Sequence, residues 1–207
     1  RAPSGLEEAI LSAYAEMTER IRATGFSGAA PRVSMRSSAI GEDGELSFAG
    51  QYLSLLNVTR DKLVQTYKYI VASLYTPRAI SYRLNKGIRD EDVSMSVACI
   101  RMVESVASGV MYTRHPYHPA EDDTYTVSKD AEHTVLESKI PRKAVQLVSN
   151  PDGGLMEIPV PDARQDAPCL STAQVKTLAD YALRLEKHYH YPQDIEWALD
   201  TSGQLLL

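Results

Sequence analysis

Cysteine is scarce. The 207 residues hold Cys99 and Cys169 and no third, and no CxxC or paired Cys/His spacing accompanies them. That excludes a disulfide framework and a zinc site, and it reads as a reduced, cytosolic protein. A basic excess is missing too: 22 Lys and Arg stand against 27 Asp and Glu, for a net charge of -5. A nucleic-acid binder's electrostatic footprint is therefore absent overall. No apolar run approaches the length of a membrane span, so no membrane partner is expected. No signal peptide is visible, because the N-terminus enters an amphipathic helix almost at once. No GxxxxGK[ST] loop occurs, which removes the P-loop route to nucleotide binding. His115, His118, His133, His188 and His190 are scattered, and no Ser-His-Asp or Cys-His set can be assembled from them.

What is present suits one large domain or two small lobes. Apolar residues make up 43% of the chain, enough for a core. Ser4 and Glu7 have the spacing of a capping box. Leu6, Ile10, Leu11, Tyr14, Met17 and Ile21 then recur at helical intervals up to Gly25. Arg32 to Arg36 and Tyr52 to Val58 read as strands, and a helix follows from Thr59. Thr76-Pro77 marks another helix start, with Gly87 as its stop. From Val93 the pattern turns to β, with Cys99 read as core. Strands are expected over 93–103, 109–113, 124–128, 134–137, 144–148 and 155–160. Ser171 and Gln174 open a last helix to about His188. Asp194–Leu199 and Gln204–Leu207 form a closing hairpin around Thr201-Ser202-Gly203. Helix-rich then sheet-rich order points to an α+β protein. The division is expected at 92/93, giving a helix-rich lobe over 1–92 and a sheet-rich lobe over 93–207. The opening Arg1 and the closing apolar run suggest a fragment of something longer.

Three constellations could carry chemistry. Met35-Arg36-Ser37-Ser38-Ala39 is followed by Glu42-Asp43-Gly44 and Ser47-Phe48-Ala49-Gly50-Gln51-Tyr52. An arginine at a strand end can grip phosphate oxygens bidentately, and a loop of small residues can bring backbone N–H groups to them. The same local pattern also fits a surface loop beside a salt-bridged arginine. Gln193-Asp194-Ile195-Glu196-Trp197, as a strand, puts two carboxylates on one face. That arrangement suits Mg²⁺, and equally a solvated acidic edge. Ile100-Arg101-Met102-Val103-Glu104 reads as a strand leaving its sheet, where apolar side chains and exposed backbone can flank a purine. Core packing explains it as well.

In combination these segments become specific. The Met35–Tyr52 run with Leu56-Asn57-Val58 resembles the N-terminal nucleotide-binding domain of the phosphoenolpyruvate synthase and pyruvate phosphate dikinase family. So do Ser73-Leu74-Tyr75-Thr76-Pro77-Arg78-Ala79, Met102-Val103 with Ser108-Gly109-Val110-Met111-Tyr112-Thr113, and Gln193–Trp197. The resemblance covers nearly the whole chain. It implies an ATP-grasp fold in which two lobes clamp ATP and Mg²⁺. It also implies passage of a phosphoryl group to a histidine on a separate swivelling domain, and a pyruvate-binding domain that makes phosphoenolpyruvate. On this resemblance Arg36 is the catalytic phosphate-binding arginine. Gly50, Gln51 and Tyr52 belong to the loop over the triphosphate, Arg101, Met102 and Val103 to the adenine hinge, and Asp194 and Glu196 to the metal pair.

The chain also departs from the family pattern. The lysine in a glycine-rich segment before the first helix is missing. So is a Gly-Leu-Gly-Glu segment after His115-Pro116, where Glu121-Asp122-Asp123 runs straight into Thr124-Tyr125-Thr126-Val127. Arg101 stands where glutamine is frequent. Two other readings follow: the same histidine-relay kinase serving rifampin or glucan as acceptor, or a degenerate nucleotide-binding regulatory module.

Overall fold

The computed structural model describes residues 3–25, 28, 30–39, 52–114 and 124–207. In chain order they form α1 (Leu6–Ala23), β1 (Val33–Ala39), β2 (Ser54–Val58), α2 (Leu63–Ala72), α3 (Pro77–Lys86), β3 (Met95–Arg101) and β4 (Ser105–Tyr112). Then follow β5 (Thr124–Val127), β6 (Val135–Lys139), β7 (Val145–Ser149), β8 (Leu155–Pro159), α4 (Asp162–Gln165), α5 (Thr172–Tyr189), β9 (Asp194–Asp200) and β10 (Leu205–Leu206). The registered pairs β1–β2, β1–β3, β4–β9, β9–β10 and β5–β6 are all antiparallel. Helices with antiparallel sheets make an α+β protein.

The chain divides into two compact units: Arg1–Met102 with Ser149–Met156, and Val103–Val148 with Glu157–Leu207. The expected boundary assigned β3 to the second part. In the structure β3 pairs along its whole length with β1, from Val33 opposite Arg101 to Ala39 opposite Met95, and so counts with the first unit.

The first unit is built on the sheet β2-β1-β3. Alternation along β1 sends Val33 and Met35 to one face, where they are 0% and 2% exposed. They meet Tyr14 of α1 and Leu63 and Ile70 of α2, with Val58 of β2 and the half-buried Met95 and Val97 of β3. The Tyr14 hydroxyl donates to the Pro31 carbonyl at 2.7 Å, so this buried phenol is satisfied. Cys99 was read as core and is exposed. It lies opposite Met35 on the outer strand β3, one step beyond the residues the helices cover. Desolvation nonetheless raises the pKa of its thiol.

Helix ends follow local chemistry in two places and depart from it in a third. The Thr76 hydroxyl accepts from the Ala79 N–H, Pro77 occupies the first turn, and Gly87 closes α3 in the left-handed region. Ser171 and Gln174 form a complete capping box at α5. At α1 the expected Ser4/Glu7 box does not form. Gly5, at φ 83°, is the cap residue, and no side chain bonds to the helix start. The left-handed turn at Gly5 sets Ser4 one residue too early to reach the orphan N–H groups.

Arg83 of α3 is 2% exposed. Its guanidinium donates to Asp90 Oδ1 at 2.9 and 2.7 Å and to the Leu74 carbonyl, closing off the end of the turn that follows α2. Asp90 itself faces water, with 70% of its side chain exposed.

In the second unit the sheet β10-β9-β4 packs on α5. Val175 and Leu178 of α5 meet Leu170 and Leu199, with Met111, Trp197 and the β5–β6 residues Tyr125, Val127 and Val135 around them. Gly109 lies directly opposite Trp197. A Cβ at Gly109 would stand 2.9 Å from Trp197 Cζ2, so the indole occupies the space that a side chain would need.

Gly109→Ala is expected to destabilise the protein by about 1–3 kcal/mol through overpacking, read as a lowered denaturant midpoint; an unchanged midpoint would show that the indole relocates at no cost. Asp90→Ala is expected to cost about 1–2 kcal/mol, because the buried Arg83 loses a charged partner that is itself solvated. The same denaturation series checks it, and a change within experimental error would mean that water replaces Asp90 fully.

Candidate functional site

Arg36 sits on β1 between Met35 and Ser37, and alternation turns it away from the core. Ser54 of β2 and Ala98 of β3 lie opposite it. Ser38, Ser96 and Ile100 share its face by register, and all three are exposed, Ile100 by 51%. Among the described residues of β1 and β3, this face carries small side chains and Ile100 around the exposed Arg36, with Ser34 on the same face buried at 8% exposure. An exposed arginine on such a face can offer paired N–H donors to an anion.

The other expected first-unit residues fall differently. Gly50 and Gln51 lie outside the described residues. Tyr52 is half-buried beside Leu53, where a shallow depression is lined also by Tyr69, Ser73 and Thr76. Arg101 pairs with Val33, so alternation places it on the face opposite Arg36. Met102 follows the end of β3 and donates its N–H to the Arg32 carbonyl at 2.8 Å. The chain passes from the first unit to the second between Met102 and Val103, and both residues are half-buried.

In the second unit, β9 presents Asp194 and Glu196 on one face, both exposed, while Ile195 and Leu199 are 8% and 5% exposed on the other. Tyr112 lies opposite Asp194 and Val110 opposite Glu196, and both are about half exposed, at 51% and 48%. The acidic pair therefore rises from an apolar surface. The start of β9 is fixed by Thr113, 5% exposed, whose Oγ1 accepts from the Gln193 N–H at 2.8 Å and whose own N–H donates to the Gln193 carbonyl at 3.0 Å. At the far end, Asp200 Oδ1 accepts from the Ser202 and Gln204 N–H groups and the Ser202 hydroxyl. The Ser202 hydroxyl, then the Gln204 N–H, hold its carboxyl below the usual aspartate range. Among the described residues no group of three or more His, Cys, Asp or Glu converges on one point. Two oxygen-donor side chains at positions i and i+2 fit a cation that takes few protein ligands and fills its shell from water and phosphate, as Mg²⁺ does.

Sequence reasoning missed Ala98, Ile100 and Ser54 as neighbours of Arg36. Alternation within β3 was readable, but the antiparallel pairing with β1 that brings them there was not. Thr113 was also missed, because a threonine after a strand carries no distinctive signal.

The pyruvate phosphate dikinase AMP/ATP-binding domain family matches the chain over residues 1–122 and 119–207. The chain belongs to this family. It is 36% identical to the phosphoenolpyruvate synthase of Aeropyrum pernix over 96% of its length, and 36% identical to the probable phosphoenolpyruvate synthase of Archaeoglobus fulgidus over 81%. It is 33% identical to the phosphoenolpyruvate synthase of Pyrococcus furiosus over 99%. It spans only 29%, 25% and 28% of those relatives' own lengths, so it corresponds to one part of them. Membership places it among ATP-binding domains of kinase type. The two family matches meet at 119–122, and the alignment to the A. pernix relative runs over 245 positions, more than this chain's 207 residues. The relative therefore carries residues that have no counterpart here. Among the described residues no helix is long and apolar enough to cross a membrane.

The Asp200 bonds stabilise the β9–β10 turn when its carboxylate is ionised. A depressed native pKa means that this contribution is present above the unfolded aspartate value of about 3.9 and is lost as pH falls through the native value. An NMR titration is expected to give Asp200 a midpoint below 3.9, with Gln204 amide protection falling alongside; a midpoint at or above that value would remove the turn's electrostatic hold.

Proposed function

We propose that this domain binds Mg-ATP in the ATP-grasp manner and transfers a phosphoryl group to a histidine on a separate domain of the same protein, in the synthesis of phosphoenolpyruvate from pyruvate. The reading is supported chiefly by the paired Asp194 and Glu196 on the open face of β9, in a chain of the AMP/ATP-binding family. In this reading Arg36, with Gly50, Gln51 and Tyr52, serves the triphosphate, and Met102 and Val103 serve adenine. Asp194 and Glu196 would hold Mg²⁺; when bound, the ion neutralises phosphate charge. The residues' task is positioning and charge stabilisation, the general logic of phosphoryl transfer. Arg36 orients the phosphate oxygens through paired N–H donors and offsets charge that builds on them. No side chain of the domain needs to become a covalent nucleophile, since the acceptor histidine is supplied from elsewhere. Arg101 contributes its backbone rather than its guanidinium in this scheme, as its side chain starts from the face opposite Arg36.

An alternative keeps the same histidine-relay kinase role and changes the acceptor to rifampin or glucan, with acceptor choice made by other domains. A degenerate, regulatory nucleotide module is the second reading. It is favoured by one observation: the family matches meet at 119–122, where the chain runs without the Gly-Leu-Gly-Glu segment.

Calorimetric titration with a non-hydrolysable ATP analogue separates these readings. The unaltered chain is expected to bind more tightly with Mg²⁺ than without it. Glu196→Gln should erase that difference. Arg36→Ala should weaken binding by about 10- to 100-fold, the loss of a charge-assisted hydrogen bond pair. Equal affinity with and without Mg²⁺ in wild type and Glu196→Gln alike would sink the metal assignment, and no binding by any form would favour the degenerate module.

A further inference from the structure

Asn57, in β2, is 1% exposed and takes the left-handed conformation, φ 54°. Asparagine tolerates that region far better than a branched residue does. Its Nδ2 donates to the carbonyls of Asn150 and Gly154, both at 2.7 Å, and its own carbonyl accepts from the Gly154 N–H at 3.4 Å. The same turn is gripped at Pro151 O by Arg32 Nη2 and at Asp152 O by Lys62 Nζ, each at 2.6 Å. All of these residues belong to the first unit.

Asn57 lies where the β1–β2 ladder is irregular. Val33 pairs with Val58, but Met35 pairs with Leu55, so β2 carries one more residue than β1 across this step. This is a β-bulge. Its consequence depends on the sequence Leu55-Leu56. With the bulge, Leu55 points to the core and Ser54 lies opposite Arg36. Without it, Leu56 would enter the core and Leu55 would lie opposite Arg36. Both registers bury a leucine, so hydrophobicity alone does not choose between them, and a one-residue slip would turn the preceding part of β2 over. The left-handed Asn57, held by the turn, makes the choice.

We propose that Asn57 is a positioning residue for nucleotide binding: clamped by the 150–154 turn, it fixes the register that sets Ser54 beside Arg36. This rests on the ATP-site reading given above. The chain, Asn57→Val and the control Leu63→Ala are to be compared at a temperature where all three are folded. Leu63 is 0% exposed in the same core and lies on α2, outside the β1–β2 ladder, so its variant lowers stability while leaving the left-handed residue and its turn in place. Two readouts are needed: cross-strand NMR contacts between residues 36 and 54, and calorimetric affinity for the Mg²⁺-bound ATP analogue. The expected result is that Asn57→Val loses the 36–54 contact and about tenfold or more in affinity, while Leu63→Ala keeps both; if the valine variant does not fold, Asn57→Ala is read in its place. Wild-type contact and affinity in the Asn57 variant, or an equal loss of affinity in Leu63→Ala, overturns the positioning role alone. Absence of binding by the unaltered chain overturns the ATP reading and this role together.

Discussion

In a pleated strand neighbouring side chains face opposite ways, so each sheet has two faces whose composition depends wholly on register. In the first unit that alternation buries Val33 and Met35 under α1 and α2 and sends Arg36 to the open side. In the second it buries Ile195, and Leu199 against α5, and sends Asp194 and Glu196 outward. Core and candidate site are therefore two faces of the same strands. Packing that holds the apolar face in place also holds the charged face in place, with no separate scaffold for the functional groups.

The same dependence sets which side chains lie beside the candidate site residues on each sheet. Around Arg36 the neighbours are Ser54, Ala98, Ser96 and Ile100; around Asp194 and Glu196 they are Tyr112 and Val110. By register, the residues directly opposite these side chains in the ladders are small, apolar or aromatic. In the proposed phosphoryl-transfer role, placement matters more than reactive groups, because the contribution is orientation and charge compensation.

Much of this was legible in the sequence where the cause is local. Thr76-Pro77, Gly87 and the Ser171/Gln174 box specify helix ends through bonds that span three or four residues. Alternation at Asp194–Trp197 specified the two faces of β9. What was not legible depends on partners distant in the chain. Asn57 takes its conformation from a turn more than ninety residues onward. Arg83 is buried on α3 through the Asp90 carboxylate, seven residues on, and the Leu74 carbonyl, nine residues back. Cys99 reads as core from β periodicity and is exposed, because the cover ends one step before it on an outer strand. Ser4 had a cap's spacing, but Gly5 took the cap position by adopting a conformation open to glycine.

Trp197 is the chain's only tryptophan. It stands next to Glu196 on the same strand, half-buried, with its ring against Gly109 and its side chain on the face away from the carboxylates. Light absorbed selectively by indole is therefore absorbed at one place, one residue from the candidate metal pair and shielded from direct contact with it. The native chain carries its own optical reporter of β9. Any event that bends or tightens that strand has a spectroscopic signature that requires no label.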